Sequence, residues 1–171
     1  MKALAVALLL LLASPGMAGA SASDMDRETL GDLGSLLVDV TSSGQDQAQV
    51  DVAAIKSAIE SKLRAAGLTV HESVAEAREK SKRDVAVLVA TISTAQLPHD
   101  PGRIVFGARL ELKQMTTLLR DRERRALAIT WSVSRFGEGS TDALRSAIDE
   151  MTDVFVGDYR AANPSRPNVA D

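Results

Sequence analysis

The sequence predicts an α+β fold. It should be a two-layer sandwich, with a mostly antiparallel sheet of four to five strands and two main helices packed on one face. Three observations predict it. Two stretches carry apolar residues at helical spacing: Val52, Ile55, Ile59, Leu63 and Ala66, then Leu144, Ile148, Met151, Phe155 and Tyr159. Two others alternate with period two: Ile104, Phe106, Ala108, Leu110 and Leu112, then Leu127, Ile129, Trp131 and Val133. The order of elements is strand, helix, short strand, strand, hairpin, helix, and one sheet with helices on one face buries every apolar stripe.

The first 22 residues stand apart from that domain. "MKALAVALLLLLASPGMAGASA" has Lys2, an apolar run from Ala3 to Ala13, the breaker Ser14-Pro15-Gly16 and small residues fitting cleavage after Ala20 or Ala22. This is the pattern of a secretory signal peptide. Its apolar run is about half of the roughly 20 residues needed to span a bilayer. No integral membrane segment is expected after cleavage, and a periplasmic or secreted location follows. The mature chain would have about 150 residues, enough for one core. Residues 23–32 read as a flexible lead-in, 33–163 as a single domain and 164–171 as a disordered tail.

Each element has a local reason. Leu36, Val38 and Val40 alternate with Leu37, Asp39 and Thr41, and "SSG" ends that strand. Asp46 is placed to cap the first helix, and Gly67 sits where a left-handed C-cap belongs. "LTVH" is a short strand, and Ser73-x-x-Glu76 fits a capping box on a short polar helix reaching about Lys82. "DVAVLVATISTAQL" is apolar on both alternating faces, as in an interior strand covered on both sides. "PHDPGR" is a turn. The next two strands should form a hairpin with "RDRERR" at its tip. "GEGSTD" leads into the last helix, which Asn163-Pro164 stops.

Composition narrows function. The chain has 20 basic and 23 acidic residues, and losing Lys2 with the leader takes the formal charge from −3 to −4. That argues against nucleic acid as the main partner. There are no cysteines, which removes thiol nucleophiles, cysteine zinc sites, disulfides and the acylated cysteine of a bacterial lipoprotein. The glycines of "GEGS" match neither a P-loop nor a dinucleotide fingerprint, so no cofactor or metal site is implied. Ser140 or Thr141 should cap the helix, with Glu138 and Asp142 complementing its dipole. His71 and His99 are the only histidines and have no ligand-type partner at helical spacing. His99-Asp100 is the one base-and-orienter pair, and no nucleophile elbow accompanies it. Phe106, Trp131, Phe155 and Tyr159 all fall on core stripes, leaving few aromatic platforms for sugar or single-stranded nucleic acid.

The candidate interaction surface is the hairpin tip. Arg120, Arg122 and Arg124 alternate there and should share an edge, with Arg125 beside them and Asp121 and Glu123 halving the field. Guanidinium forks suit phosphates and carboxylates. A solvated tip that keeps sheet ends from pairing is the simpler reading. A second charged stretch, "AREKSKRD", would align Arg78 with Lys82 and Glu79 with Arg83 on a helix, as a solvated connector.

Three stretches carry a resemblance in layout. "VAAIKSAIESKLRAAGLTV", "SKRDVAVLVATIS" and "RIVFGARLELKQMTTLLRDRERRALAITWSVS" resemble the first helix, interior strand and long hairpin of a small envelope domain. That domain is the N-terminal domain of the Tol–Pal translocation protein, with relatives in penicillin-binding-protein activator lipoproteins and the curli secretion lipoprotein. The chain has no lipidated cysteine and no β-propeller repeats. The resemblance implies a non-enzymatic adaptor of envelope assembly with an envelope protein as partner, and it carries over no site residue. The alternative is a periplasmic carrier or sensor of a small or lipidic ligand held between sheet and helices.

Overall fold

The computed structural model of the protein describes residues 22–44, 50–80 and 85–164. The expected leader up to Ser21, Asp46, the Lys82 and Arg83 helical pairs and the tail from residue 165 lie outside these residues. Four helices and five strands follow one another: α1 (Asp24–Glu28), β1 (Ser35–Gly44), α2 (Val52–Ala65), β2 (Thr69–His71), α3 (Val74–Lys80), β3 (Ala86–Leu97), β4 (Asp100–Leu118), β5 (Asp121–Gly139) and α4 (Thr141–Ala162).

The strands form one sheet in the order β2-β1-β3-β4-β5. The fold is α+β, as the element order implies, but the sheet is mixed. β1 pairs in parallel with β2 and with β3, whereas β3, β4 and β5 pair antiparallel. The parallel pairs follow from connectivity: β1, β2 and β3 are joined through helices, and only crossovers can return a strand in the same direction.

One face of the sheet carries the core. Leu36, Val38, Leu88, Ala90, Ile92, Ile104, Phe106, Leu110, Leu112, Trp131 and Val133 pack beneath Ile55, Ile59 and Leu63 of α2 and Leu144, Ile148, Met151 and Phe155 of α4. The Trp131 and Phe155 rings meet edge to face, with centroids 4.9 Å apart, an arrangement favoured by the ring quadrupoles.

The small helix α3 contacts β1 and β2 and covers the other face at one corner. Leu37 and His71 are register partners, pointing away from the core pair Leu36 and Val70. Both are buried, as is Ala77 of α3. Handedness explains the placement. The chain moves one way across the sheet through α2 and back through α3, so right-handed crossovers put the two helices on opposite faces.

Local signals set the helix ends. Asp51, not Asp46, is the N-cap of α2, its carboxylate accepting from the Ala54 N–H at 2.9 Å. Gly67 follows α2 with φ of +92°, a conformation glycine adopts without steric cost. At α3, Ser73 Oγ accepts from the Glu76 N–H, while the Glu76 carboxylate reaches the N–H of Glu72 rather than that of Ser73. Ser140 caps α4 by accepting from the Ala143 N–H.

Residues 23–32, expected as a flexible lead-in, form α1 and a turn with most side chains exposed, tied to the domain at Leu30. Ala22, Leu30 and Leu33 are buried in the core. Arg27 pairs with Asp158 at 2.9 Å, and the other oxygen of Asp158 accepts from the Trp131 indole N–H at 3.0 Å. Asn163 accepts from the Asp32 N–H and donates to the Leu30 carbonyl, both at 2.8 Å. "SDMDRETLGD" is polar apart from Met25 and Leu30; one anchor, Leu30, lies inside it, and the other two, Ala22 and Leu33, flank it.

Candidate functional site

The sheet face opposite α2 and α4 is where the candidate surfaces lie. Toward the β3–β5 side it is bare. β3 is interior to the sheet, as its apolar run implies, but its second face is only partly covered: Val87 and Val89 are half-buried, and Thr91 and Ser93 are exposed. α3 shields the β1–β2 corner, and among the described residues its main contacts are with those two strands.

A bulge in β5 decides what this face presents. Leu112 pairs with Trp131, but Lys113 pairs with Ile129, so Thr130 is the extra residue. An extra residue switches every later side chain to the other face. Leu127 and Ile129, expected on the core side with Trp131, therefore lie on the open side with their partners Met115 and Lys113. Met115, Leu127 and Ile129 are 42%, 58% and 53% exposed. Thr130 is held at the bulge from both sides: its hydroxyl donates to the Leu112 carbonyl, and its carbonyl accepts from the Thr29 hydroxyl.

Beyond Lys113 the ladder between β3 and β4 ends. Residues 114–118 of β4 pair with β5 alone, so the distal hairpin is a two-stranded ribbon. Five residues of strand make it about 17 Å long. Leu119 and Arg120 form its turn, and Leu119 is 93% exposed.

The six charges do not form the expected alternating edge. Thr117 pairs with Arg125 and Leu118 with Asp121, which leaves Arg122, Glu123 and Arg124 outside the register. Asp121 organises the tip: its carboxylate accepts from the Glu123 N–H and pairs with Arg124 at 3.0 Å. Arg120, Arg122, Arg124 and Arg125 are all exposed. The structure thus places Arg120 in the turn and Arg122, Arg124 and Arg125 at the start of β5, with only Arg125 among them in the ladder.

Nearer the helices, the open face holds a shallow hollow of about 300 Å³ lined by Thr91, Ser93, Gly107, Ala108, Arg109, Glu111 and Phe136. Phe136 lies over Gly107, where an added Cβ would sit 3.1 Å from the ring. Arg109 pairs with Glu111 at 3.3 Å, and Lys113 approaches the same carboxylate at 3.8 Å. Phe136 and Val105 are exposed. The hollow borders β5, whose pairing in the described residues is with β4 alone. Sequence reasoning missed Phe136: it ends a strand pattern already filled by Trp131 and Val133, so its exposure had no separate signal.

The remaining candidates are placed plainly. His99 is exposed in the β3–β4 turn, and Asp100 accepts from the Gly102 N–H rather than engaging it. His71 is buried, with no hydrogen-bond partner on Nε2. No group of three or more metal-ligating side chains occurs among the described residues, and no helix among them is long and apolar enough to cross a membrane. At the start of α4, Glu138 pairs with Arg103 at 2.7 Å and Asp142 with Arg145 at 3.3 Å. The layer between sheet and helices, where the carrier alternative places its ligand, is filled by Leu88, Leu110, Trp131, Met151 and Phe155. A groove of about 290 Å³ lies outside that layer, between α2 and α4, with Ala54, Ile59, Arg145 and Asp149 among its walls. Lys62 reaches across from α2 to Asp149 and Asp153, each at 2.7 Å. Burial pulls the Lys62 pKa down, but hydrogen bonds and attraction from the two carboxylates outweigh it and hold the pKa above its ordinary value.

No protein-family model and no curated protein matches the chain. Similar solved structures include a PelC variant dodecamer from Paraburkholderia phytofirmans, 19% identical, covering 81% of this chain and 96% of that one with a TM-score of 0.49. A second PelC dodecamer from the same organism is 18% identical and covers 84% and 96%, with a TM-score of 0.42. These values describe a similar layout, and no site residue or role is carried over from them.

Proposed function

We propose that this protein is an exported, non-enzymatic interaction module of the bacterial envelope, and that it takes a partner protein by strand addition at β5. The observation that carries the reading is the juxtaposition of a strand paired on one side with a hollow beside it. Strand addition uses the edge backbone for affinity and an adjoining pocket for specificity. Residues 131–139 suit this: the Thr29 contact meets β5 at Thr130, outside that stretch, and within it the Ser134 carbonyl accepts from the neighbouring Arg135. Phe136, Arg109 and Glu111 would then receive alternate side chains of the incoming strand. The leader expected from the sequence supports export, and the resemblance in layout read from the sequence to a small envelope domain supports the role.

Photocrosslinking in cells tests it. A crosslinker at Ser132 or Phe136 is expected to capture one dominant envelope protein, and one at Arg64 on α2 is not. Equal capture from both positions, or none from β5, would remove the edge from the proposal. The carrier alternative is favoured by the α2–α4 groove alone. Native mass spectrometry of the exported protein separates the two readings: a co-purifying small molecule supports a carrier, and a clean apo mass counts against it.

A further inference from the structure

We infer that the distal β4–β5 ribbon is a membrane-contact arm that docks on an anionic lipid surface. This adds a lipid contact to the protein contact proposed above, and it uses different residues.

Four observations converge on the ribbon. It stands beyond the end of the β3–β4 ladder, so it can approach a flat surface without the sheet intervening. The bulge at Thr130 turns Leu127 and Ile129, with Met115, to a side that no described element covers. Leu119 sits at the apex as the most exposed of the large apolar side chains described. Four arginines collar that apex against two acids, in a chain whose formal charge is −3.

Each part has a job at a lipid interface that it lacks in water. An exposed apolar residue at a turn gains nothing until it enters the acyl boundary, whereas surface helices and arms bind there by combining apolar burial with attraction to anionic lipid. Guanidinium groups chelate phosphate oxygens with two parallel N–H bonds. Arg120 is next to Leu119 in the turn, and Arg122, Arg124 and Arg125 follow within six residues of it, so both contacts can form in one orientation. The ion pair of Arg124 with Asp121 leaves Arg120 and Arg122 to lead. A nucleic acid would also attract arginines, but it offers no site for Leu119, Leu127 and Ile129.

The test is flotation of the purified exported chain with phosphatidylcholine vesicles, with and without phosphatidylglycerol. Binding is expected only with phosphatidylglycerol, and it should weaken as salt screens the contact. Reversing Arg122 and Arg124 together (Arg122→Glu, Arg124→Glu) should lower partitioning by about tenfold or more. Leu119→Ser should lower it at unchanged charge, and Arg64→Glu on α2 should not. Absence of binding to either vesicle, or binding indifferent to the arm variants, overturns the inference. Crosslinking from Ser132 in the same variants keeps the two proposals apart. If the arginine reversals abolish the protein crosslink while wild type ignores vesicles, the arm is a protein contact and the lipid inference falls. If vesicle binding stands and no protein is captured from β5, the strand-addition reading falls alone.

Discussion

The two halves of the β4–β5 hairpin have similar alternating patterns, yet one is core and the other is surface. In the proximal half, Leu110, Leu112, Trp131 and Val133 lie under α4 and are buried. In the distal half, Met115, Leu127 and Ile129 are as apolar and stand in the open. One residue separates them. Thr130 is extra in β5, and the switch of face that it causes comes where the third strand also stops. Hydrophobicity tells which side chains would gain from burial, while the length of neighbouring strands and helices decides which of them can have it. The proximal half therefore holds the protein together, and the distal half is left available for contact.

That contrast can be broken by mutation, beginning with its strongest member. Trp131→Ala should cost about 3–5 kcal/mol, because it empties a fully buried site against Phe155. Denaturant unfolding would measure it, and a loss below about 1 kcal/mol would mean the proximal half is not the core described here. Asp158→Ala comes next. It strands the Trp131 indole N–H and removes the partner of Arg27, for about 1–3 kcal/mol, read in the same titration. Asp51→Ala should cost about 1 kcal/mol through the lost cap of α2, the helix over β1.

Lys62→Met sharpens the comparison on the helix side. The Lys62 pKa is raised in the folded state, so its contribution is fully present below the ordinary value of 10.5 and is lost as pH rises through the higher folded value. Because Lys62 is a third exposed, the difference from wild type should be about 1 kcal/mol or less at neutral pH and should vanish in strong alkali. The smallest effect belongs to the arm. Leu127→Ser and Ile129→Ser should each change stability by no more than about 0.5 kcal/mol. Losses as large as that of Trp131→Ala would show that the arm is packed after all.

Much of the fold was legible because its periodicities are strong and local. The face Ile55, Ile59 and Leu63, the run Leu144 to Phe155 and the alternation from Ile104 to Leu112 all stand as read. Gly67 and Ser140 act at the helix ends where their chemistry places them. The errors share a cause. The dry second face expected for β3, the Asp46 cap and the core places of Leu127 and Ile129 each assumed that a pattern continues until a breaker stops it. Thr130 is no breaker, and nothing in "RALAITWSVSR" marks it as the bulged position. Of the candidate surface, the arginines were visible as a run of charge. The apolar stripe beside them and the Phe136 hollow were not, since both depend on which strand ends first.

By itself, then, the sequence determined the class of fold, the main secondary elements after residue 33 and the hairpin tip with its arginines, with the export leader as an expectation. Each of these rests on side-chain period, backbone preference or composition, which act over a few residues. Only the tertiary structure decided that the sheet is mixed, that α3 crosses to the far face, and that residues 23–32 lock onto α4 through Arg27, Asp158 and Asn163. It alone decided which alternating half of the hairpin is covered. Those outcomes depend on register, crossover handedness and the reach of neighbouring elements, quantities set between segments far apart in the chain.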